Sequence, residues 1–185
     1  MLYEKLREYS QLSIQHWLSD EVFTLGWFLQ VAVLIVFYAV WLKLLDRRRA
    51  TELLLIGSLA AVAKSLNGLV LGSMLGLAEY TVRIMPFSVS IFSTSITISP
   101  IIVMLAQQYT SSWKGYMLWT AIGTAFLNFA VFPVYMLVGA LKFHNWNVFF
   151  HFLVMFAIVL FVRLVFLWIT GTQKRHTDMP MARKP

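Results

Sequence analysis

The chain has 185 residues, of which 59% are hydrophobic and only 12% are charged, and it contains no cysteine. Soluble domains are about 45–50% apolar and about 25% charged, so this composition excludes an ordinary water-soluble domain. The lack of cysteine excludes disulfides, thiolate metal sites and cysteine nucleophiles. The net charge of +7 lies in short clusters beside apolar runs, which argues against nucleic acid as a partner.

The N-terminal segment, residues 1–21, is polar and precedes the first apolar run. Wound as a helix, it would carry Leu6 and Tyr9 on one face and Glu4 and Glu8 on the other. An amphipathic helix of this kind lies in the plane of a membrane interface. We therefore expect a short interfacial helix here.

Five apolar runs follow, and each has about the 20 residues that a helix needs to cross a hydrocarbon core of about 30 Å. The predicted spans are 22–45, 53–72, 86–106, 116–138 and 148–169. A basic tail, 171–185, follows the last run. The pattern predicts an all-α, polytopic transmembrane helix bundle of about five spans.

The basic residues are distributed unequally between the two sides of this bundle. Of the 15 lysines and arginines, nine flank the spans on one side and four on the other, and Lys64 and Arg163 lie within spans. Positively charged loops stay in the cytoplasm. We therefore expect a multi-pass protein of the cell membrane with its N-terminus outside and its C-terminus in the cytoplasm.

The third predicted span is unusually polar. Seven of the fifteen residues from Pro86 to Pro100 are serine or threonine. Small hydroxyl residues allow helices to approach closely, so a tightly packed helix is one interpretation. The other is a broken or re-entrant segment that lines a polar path. The sequence leaves both open.

Lys64 lies 11 residues into the second span, near the bilayer centre, where a charge costs about 2.5–3.5 kcal/mol. Asn67 shares its helical face, and Asn128 falls at a similar depth in the fourth span. We expect these side chains to form one polar cluster, which either joins the helices by hydrogen bonds or contacts a ligand.

Lys64 has no acidic partner in any predicted span core. Three explanations remain: Glu79 folds inward from the external connection, an anion occupies the cluster, or the lysine is neutral. The candidate ligand-binding residues are therefore Lys64, Asn67, Asn128 and Glu79. For Arg163 we expect a structural role, either reaching the interface or pairing with Glu52.

Sequence motifs for catalysis or cofactor binding are absent, including G-x-S-x-G, the P-loop and H-E-x-x-H. We therefore assign no catalytic residue and expect no cofactor. His16, His144 and His151 are weak candidates for a metal site on the external side, but their spacing matches no metal motif. We expect no metal.

Three segments carry a resemblance: Trp41 to Glu52 around the Asp-Arg-Arg-Arg block, Gly76 to Tyr80, and Pro100 to Tyr109. Together they resemble an uncharacterised family of small multi-span membrane proteins found mainly in spore-forming Gram-positive bacteria. The resemblance runs from about Trp17 to the fifth span and implies topology and compartment, not an activity.

The positions that match this family are listed here: Asp46, Glu52, Glu79, Tyr80, Pro100, Tyr109 and Pro133. Family members often have an acid just before the fourth-span proline, where this chain has Phe132. Any role of that acid therefore does not carry over.

Three functions are consistent with these features. The first is a non-enzymatic role in interaction, assembly or sensing within the cell envelope, with a homo-oligomer or another membrane protein as partner. The second is a small transporter, channel or lipid-handling protein that binds an anionic lipid or small anion near Lys64. The third is a membrane enzyme acting on a lipid, with Glu79, His144 and His151 at the interface. The lipid bilayer is the one partner common to all three.

Overall fold

The computed structural model describes residues 2–86 and 92–177, and these are largely helical. Helix α1, Leu2–His16, continues into a π-helical turn, Trp17–Glu21. Helix α2, Leu25–Leu44, is followed by a 3₁₀ turn, Arg47–Arg49. Helix α3, Ala50–Gly68, ends as a π-helical segment, Leu69–Met74. Strand β1 is Ala78–Tyr80.

The second half of the chain also consists mainly of helices with π-helical portions. A π-helical segment, Phe92–Ile98, leads directly into α4, Ser99–Tyr109. Helix α5, Trp113–Phe126, continues through π-helical Leu127–Val131 into α6, Phe132–Leu137. Strand β2, Leu141–Phe143, precedes the long α7, Val148–Thr177.

Within residues 2–86 and 92–177, four helical segments are long and apolar enough to cross a membrane. They are Leu25–Leu44, Arg47–Gly72, Trp113–Leu137 and Val148–Gln173. In α2 the only buried residues are Gly26 and Gln30, so most of its apolar side chains face outward. An outward apolar surface is suited to lipid. The prediction of an all-α helix bundle is confirmed, and its four apolar helices are compatible with an integral membrane protein.

The third predicted span forms a helix of a different kind. From Phe92 to Tyr109 the backbone is helical without a break, and Pro100 lies inside it. Of the residues Ser99 to Tyr109, seven are buried. This helix is enclosed by its neighbours, which explains why it tolerates serine, threonine and glutamine. Part of the predicted span, 87–91, lies outside the described residues.

The bundle has two distinct ends. At one, which we call the sheet end, β1 and β2 pair antiparallel with Tyr80 opposite Leu141. At the other, which we call the basic end, Gln108 donates from Nε2 to the carbonyl of Leu44 at 2.7 Å. Helix α1 lies at the sheet end, where Ser13 donates to the carbonyl of Pro86. Which end faces the cytoplasm stays a prediction.

Two apolar clusters fill the interior. One lies toward the basic end and centres on Ile56, Met104 and Val162. The other lies toward the sheet end and centres on Ile98 and Phe132. Each cluster joins helices distant in the sequence, so the clusters fix the arrangement of the helices at both ends.

Helices α5 and α4 pack closely at a glycine. A Cβ atom at Gly123 would overlap Cγ2 of Ile102, whereas a Cβ at Gly171, on α7, would meet nothing within 4 Å. Small residues allow helices in a membrane to approach in this way. The α4–α5 contact therefore depends on the missing side chain.

We predict that Gly123→Ala lowers the thermal unfolding temperature of the detergent-purified protein, because overpacking costs about 1–3 kcal/mol. Gly171→Ala is the matched control. It replaces a helical glycine where space is free, so it should leave stability unchanged or raise it slightly. Equal effects of the two substitutions would show that α4 and α5 do not pack this closely.

Candidate ligand pocket and buried polar cluster

The helix from Phe92 to Tyr109 is called the central helix below. The connection between β1 and this helix begins with residues 81–86, which lie outside helix and strand. Its carbonyl groups therefore need partners other than a regular ladder. Four side chains from α1, its π-helical turn and α2 donate to them: Ser13 to Pro86 (3.1 Å), Trp17 to Arg83 (2.9 Å), Trp27 to Ile84 (3.3 Å) and Gln30 to Val82 (2.8 Å). The N-terminal region thus holds the connection in place.

An ion pair reinforces this attachment. Arg83 Nη2 lies 2.5 Å from Oε1 of Glu21, and the backbone amide of Arg83 donates to the same carboxylate at 2.6 Å. The Glu21 side chain is 3% exposed and that of Arg83 is 20% exposed. The carboxylate raises the pKa of Arg83 further above its ordinary value. Because both charges are largely removed from water, each depends on the other.

A pocket of about 500 Å³ opens beside this ion pair at the sheet end. Its lining is mainly polar and comes from α1, from the turn after it and from the connection: Tyr9, Ser10, Ser13, His16, Glu21, Glu79, Tyr80, Thr81, Arg83 and Pro86. Hydroxyl groups, carboxylates and a guanidinium therefore face one open space. This combination suits a small polar molecule better than an apolar one.

Tyr80 forms the inner wall of the pocket. Its hydroxyl lies 2.9 Å from Oγ1 of Thr94, at the start of the central helix. Burial raises the pKa of Tyr80 to about 12, so the hydroxyl stays protonated at neutral pH. Tyr80 and Thr94 also line a second, smaller cavity of about 40 Å³ deeper in the bundle. The tyrosine thus lines both spaces.

A buried polar cluster surrounds the inner cavity. Nδ1 of His151 lies 2.9 Å from Oδ1 of Asn128, whose amide nitrogen donates to the carbonyl of Thr124 at 2.8 Å. Asn128 is 0% exposed and His151 is 8% exposed. Asn67 lines the same cavity. Its volume fits one or two water molecules, so a larger ligand has no room there in this conformation.

Lys64 is fully enclosed beside this cluster. It is 1% exposed, and its Nζ donates to the carbonyl of Met155 at 3.0 Å and contacts the sulfur of the same residue. Among residues 2–86 and 92–177, no carboxylate lies within ion-pair distance of it. Met155 is one helical turn beyond His151 on α7, so Lys64, Asn128 and His151 meet at one stretch of that helix.

The structure brings together only some of the candidate site residues. Lys64 and Asn128 are buried in the bundle, and Asn67 is half-buried and lines the inner cavity. Glu79 does not fold inward, because its carboxylate is exposed and lies 3.2 Å from His144 across the two strands. The sequence did not predict this pairing, because strands of only three residues leave no recognisable strand pattern.

The three histidines lie apart in their surroundings. His16 is exposed and lies 2.9 Å from Asp20, His144 is exposed beside Glu79, and His151 is in the interior. His151 is therefore enclosed, and the three imidazoles do not share one exposed surface. Within the described part of the chain, no group of three or more histidine or acidic residues could hold a metal ion.

Arg163 and Glu52 do not pair. Glu52 instead lies 2.7 Å from Arg49 and accepts from Nε2 of Gln107 at 3.0 Å. The guanidinium carbon of Arg163 lies 4.2 Å from the ring centroid of Tyr116. The arginine is 3% exposed, so it does not reach the interface by extending outward.

The sequence pattern did not indicate several residues of the pocket. Glu21 and Arg83 are 62 positions apart, and each resembles an ordinary interfacial charge until the fold joins them. One signal was available in the sequence: Gln30 is a strong hydrogen-bonding group in an otherwise apolar run, and it binds the connection. Tyr80 was noted only through the family resemblance.

Comparisons with protein-family models, with curated proteins and with solved structures found no match to this chain.

We predict that Arg83→Met destabilises the folded protein by roughly 3–5 kcal/mol, because it leaves the enclosed carboxylate of Glu21 with the exposed imidazole of His16, at 3.8 Å, as its remaining basic partner. Chemical unfolding in detergent measures the effect. The double variant Glu21→Met with Arg83→Met should recover much of the loss, since it removes both charges. Asp20→Asn, at the exposed partner of His16, is the control and should change little. A double variant as unstable as Arg83→Met would argue against the ion pair.

Proposed function

We propose that this chain is a non-enzymatic integral membrane protein that binds a small polar molecule in the sheet-end pocket, in a sensing or interaction role in a bacterial cell envelope. The observation that carries the proposal is the open pocket of about 500 Å³ with its converging hydroxyl, carboxylate and guanidinium groups. The charge asymmetry of the sequence supports an external position for this end. The family resemblance supports the bacterial membrane.

The lining narrows the class of ligand. Glu21 and Arg83 already neutralise each other, and Glu79 lies beside His144. A strongly charged ligand would therefore have to break an existing pair. The pocket wall also holds the ring of Tyr9 and two hydroxyls that already donate within the chain, from Ser10 to Leu6 and from Ser13 to Pro86, so a ligand would use mainly their oxygen atoms as acceptors or compete for these bonds. These features favour a neutral or zwitterionic solute with several hydrogen-bonding groups.

Transport of an anion past Lys64 is the weaker alternative. The lysine is 1% exposed, and the cavity near it has room only for water. Tyr80 lines both that cavity and the open pocket. Transport of an anion would require the small cavity to widen. A membrane enzyme is weaker still, because His151 is enclosed while Glu79 and His144 are exposed.

Because the chain has no cysteine, single cysteine substitutions can test the pocket and the orientation together. With a membrane-impermeant maleimide on intact cells, we expect Ser10→Cys to be labelled and Ser111→Cys to be labelled only after permeabilisation. Ser95→Cys, in the inner cavity, should stay unlabelled. Rapid labelling of Ser95→Cys would favour a transport path, and an unreactive Ser10→Cys would contradict an open pocket.

Ligand binding itself can be measured by thermal unfolding with a set of sugars, amino acids, polyols and short peptides. We expect at least one of these solutes to stabilise the wild type and not Ser10→Trp, whose indole would fill the pocket. Ser19→Trp is the matched control, because Ser19 is exposed and lies outside the lining. Equal stabilisation of both variants would place the binding elsewhere.

A further inference from the structure

The inner cavity is lined by three polar side chains for which the described residues provide no hydrogen-bond partner. They are Asn67 on α3, Ser95 on the central helix and His151 on α7. Ser95 is 6% exposed and His151 is 8% exposed. Within residues 2–86 and 92–177, no group hydrogen-bonds to the Asn67 amide, to the Ser95 hydroxyl or to Nε2 of His151. Enclosed polar groups are almost always hydrogen-bonded, so these three indicate a bound molecule.

The hydrogen bonds around Asn128 determine which nitrogen of His151 carries a proton. The carbonyl of Thr124 can only accept, so the amide nitrogen of Asn128 faces it, at 2.8 Å. The amide oxygen of Asn128 therefore faces Nδ1 of His151, at 2.9 Å, and Nδ1 donates. No carboxylate in the described residues pairs with His151, so the enclosed imidazole is neutral and has one N–H group. Its Nε2 is therefore an acceptor that needs a donor.

The remaining lining supplies further polar groups on one side and aromatic rings on the other. The hydroxyls of Tyr80 and Thr94 lie 2.9 Å apart, and whichever of them accepts this bond keeps its own proton for another acceptor. The ring centroids of Phe132 and Phe143 lie 5.4 Å and 5.3 Å from that of His151. The cavity therefore offers a few hydrogen-bonding groups within apolar walls.

Three π-helical segments meet around this cavity. The segments Leu69–Met74 and Phe92–Ile98 both contribute to its lining. The third, Leu127–Val131, contains Asn128, which holds His151. π-Helical turns are rare and often occur at functional sites. Their convergence is a second observation, independent of the unpaired side chains, that marks the same position in the bundle.

We propose that the inner cavity is a water-binding site formed by Asn67, Ser95 and His151. Its volume of about 40 Å³ exceeds the roughly 10–15 Å³ that one water requires. Water donates to Nε2 and has a second hydrogen and two lone pairs for the amide and the hydroxyl. An anion is disfavoured because Nε2 is an acceptor, and a cation is disfavoured because Lys64 binds Met155, which lines the same cavity.

The bound water joins three helices that are distant in the sequence. Asn67 belongs to α3, Ser95 to the central helix and His151 to α7. Buried water of this kind is part of a fold and costly to remove. The site does not depend on the ligand proposed for the sheet-end pocket, because its three polar side chains are not in the lining of that pocket.

The test uses the full chain, purified in detergent with ¹⁵N-labelled histidine, and nuclear magnetic resonance as the readout. Long-range proton–nitrogen correlations show which ring nitrogen is protonated, and His151→Phe identifies the signals of His151 by their loss. We expect His151 to carry its proton on Nδ1 alone and its Hε1 proton to show magnetisation transfer from water. A proton on Nε2, or no transfer from water, would overturn the proposal.

A cavity-filling variant tests the position of the water. In Ser95→Val the added methyl group occupies the cavity, so the water signal at His151 should disappear. The thermal unfolding temperature should also fall, because Asn67 and Nε2 of His151 lose their partner. Ser58→Val, at an exposed serine of α3, is the matched control and should keep the water signal. If Ser95→Val keeps it too, the water lies elsewhere and the proposal is wrong.

A smaller substitution covers the case in which Ser95→Val does not fold. Ser95→Ala removes one hydroxyl and leaves room for the water, so the signal at His151 and its protonation at Nδ1 should both remain. Loss of the water signal in Ser95→Ala would contradict a site that also depends on His151 and Asn67.

Discussion

The rest of the structure depends on one constraint, the need to give every enclosed polar group a partner. The helix from Phe92 to Tyr109 is too rich in hydroxyl and amide side chains to face hydrocarbon, and it lies inside the bundle. The more apolar helices surround it and turn their own apolar side chains outward. The order of the helices in space therefore follows from which of them can tolerate lipid.

Placing a polar helix at the centre has a consequence at the sheet end. The chain must enter the interior through residues 81–86, whose backbone groups find no neighbouring strand. Side chains of the N-terminal region supply the hydrogen bonds, and the pair of Glu21 with Arg83 fixes the connection from the same direction. The open pocket lies where α1 crosses this connection, so the attachment that stabilises the entry also shapes the pocket.

The fold was largely predictable because run length and charge bias depend on local sequence. Among the described residues, four apolar helices overlap four of the five apolar runs, and α7 continues to Thr177. The third span was ambiguous, since its serines and threonines suit a packed helix and a polar path equally well. The similar depths of Lys64 and Asn128 along their spans predicted that both lie in the interior. The pairing of Glu21 with Arg83 was not predictable, because 62 residues separate them and the contact exists only after the helices pack.

The enclosed lysine and arginines differ in the partners that surround them, and these partners suit the chemistry of each side chain. A lysine can release its proton, so the carbonyl of Met155 is an adequate partner for Lys64. An arginine keeps its charge in proteins. Arg83 accordingly has a carboxylate, while Arg163 has two aromatic rings and one carbonyl. Rings stabilise a cation without accepting hydrogen bonds in its plane. Of the two enclosed arginines in the described residues, Arg83 is thus held by a carboxylate, whereas Arg163 is held by ring faces and one carbonyl.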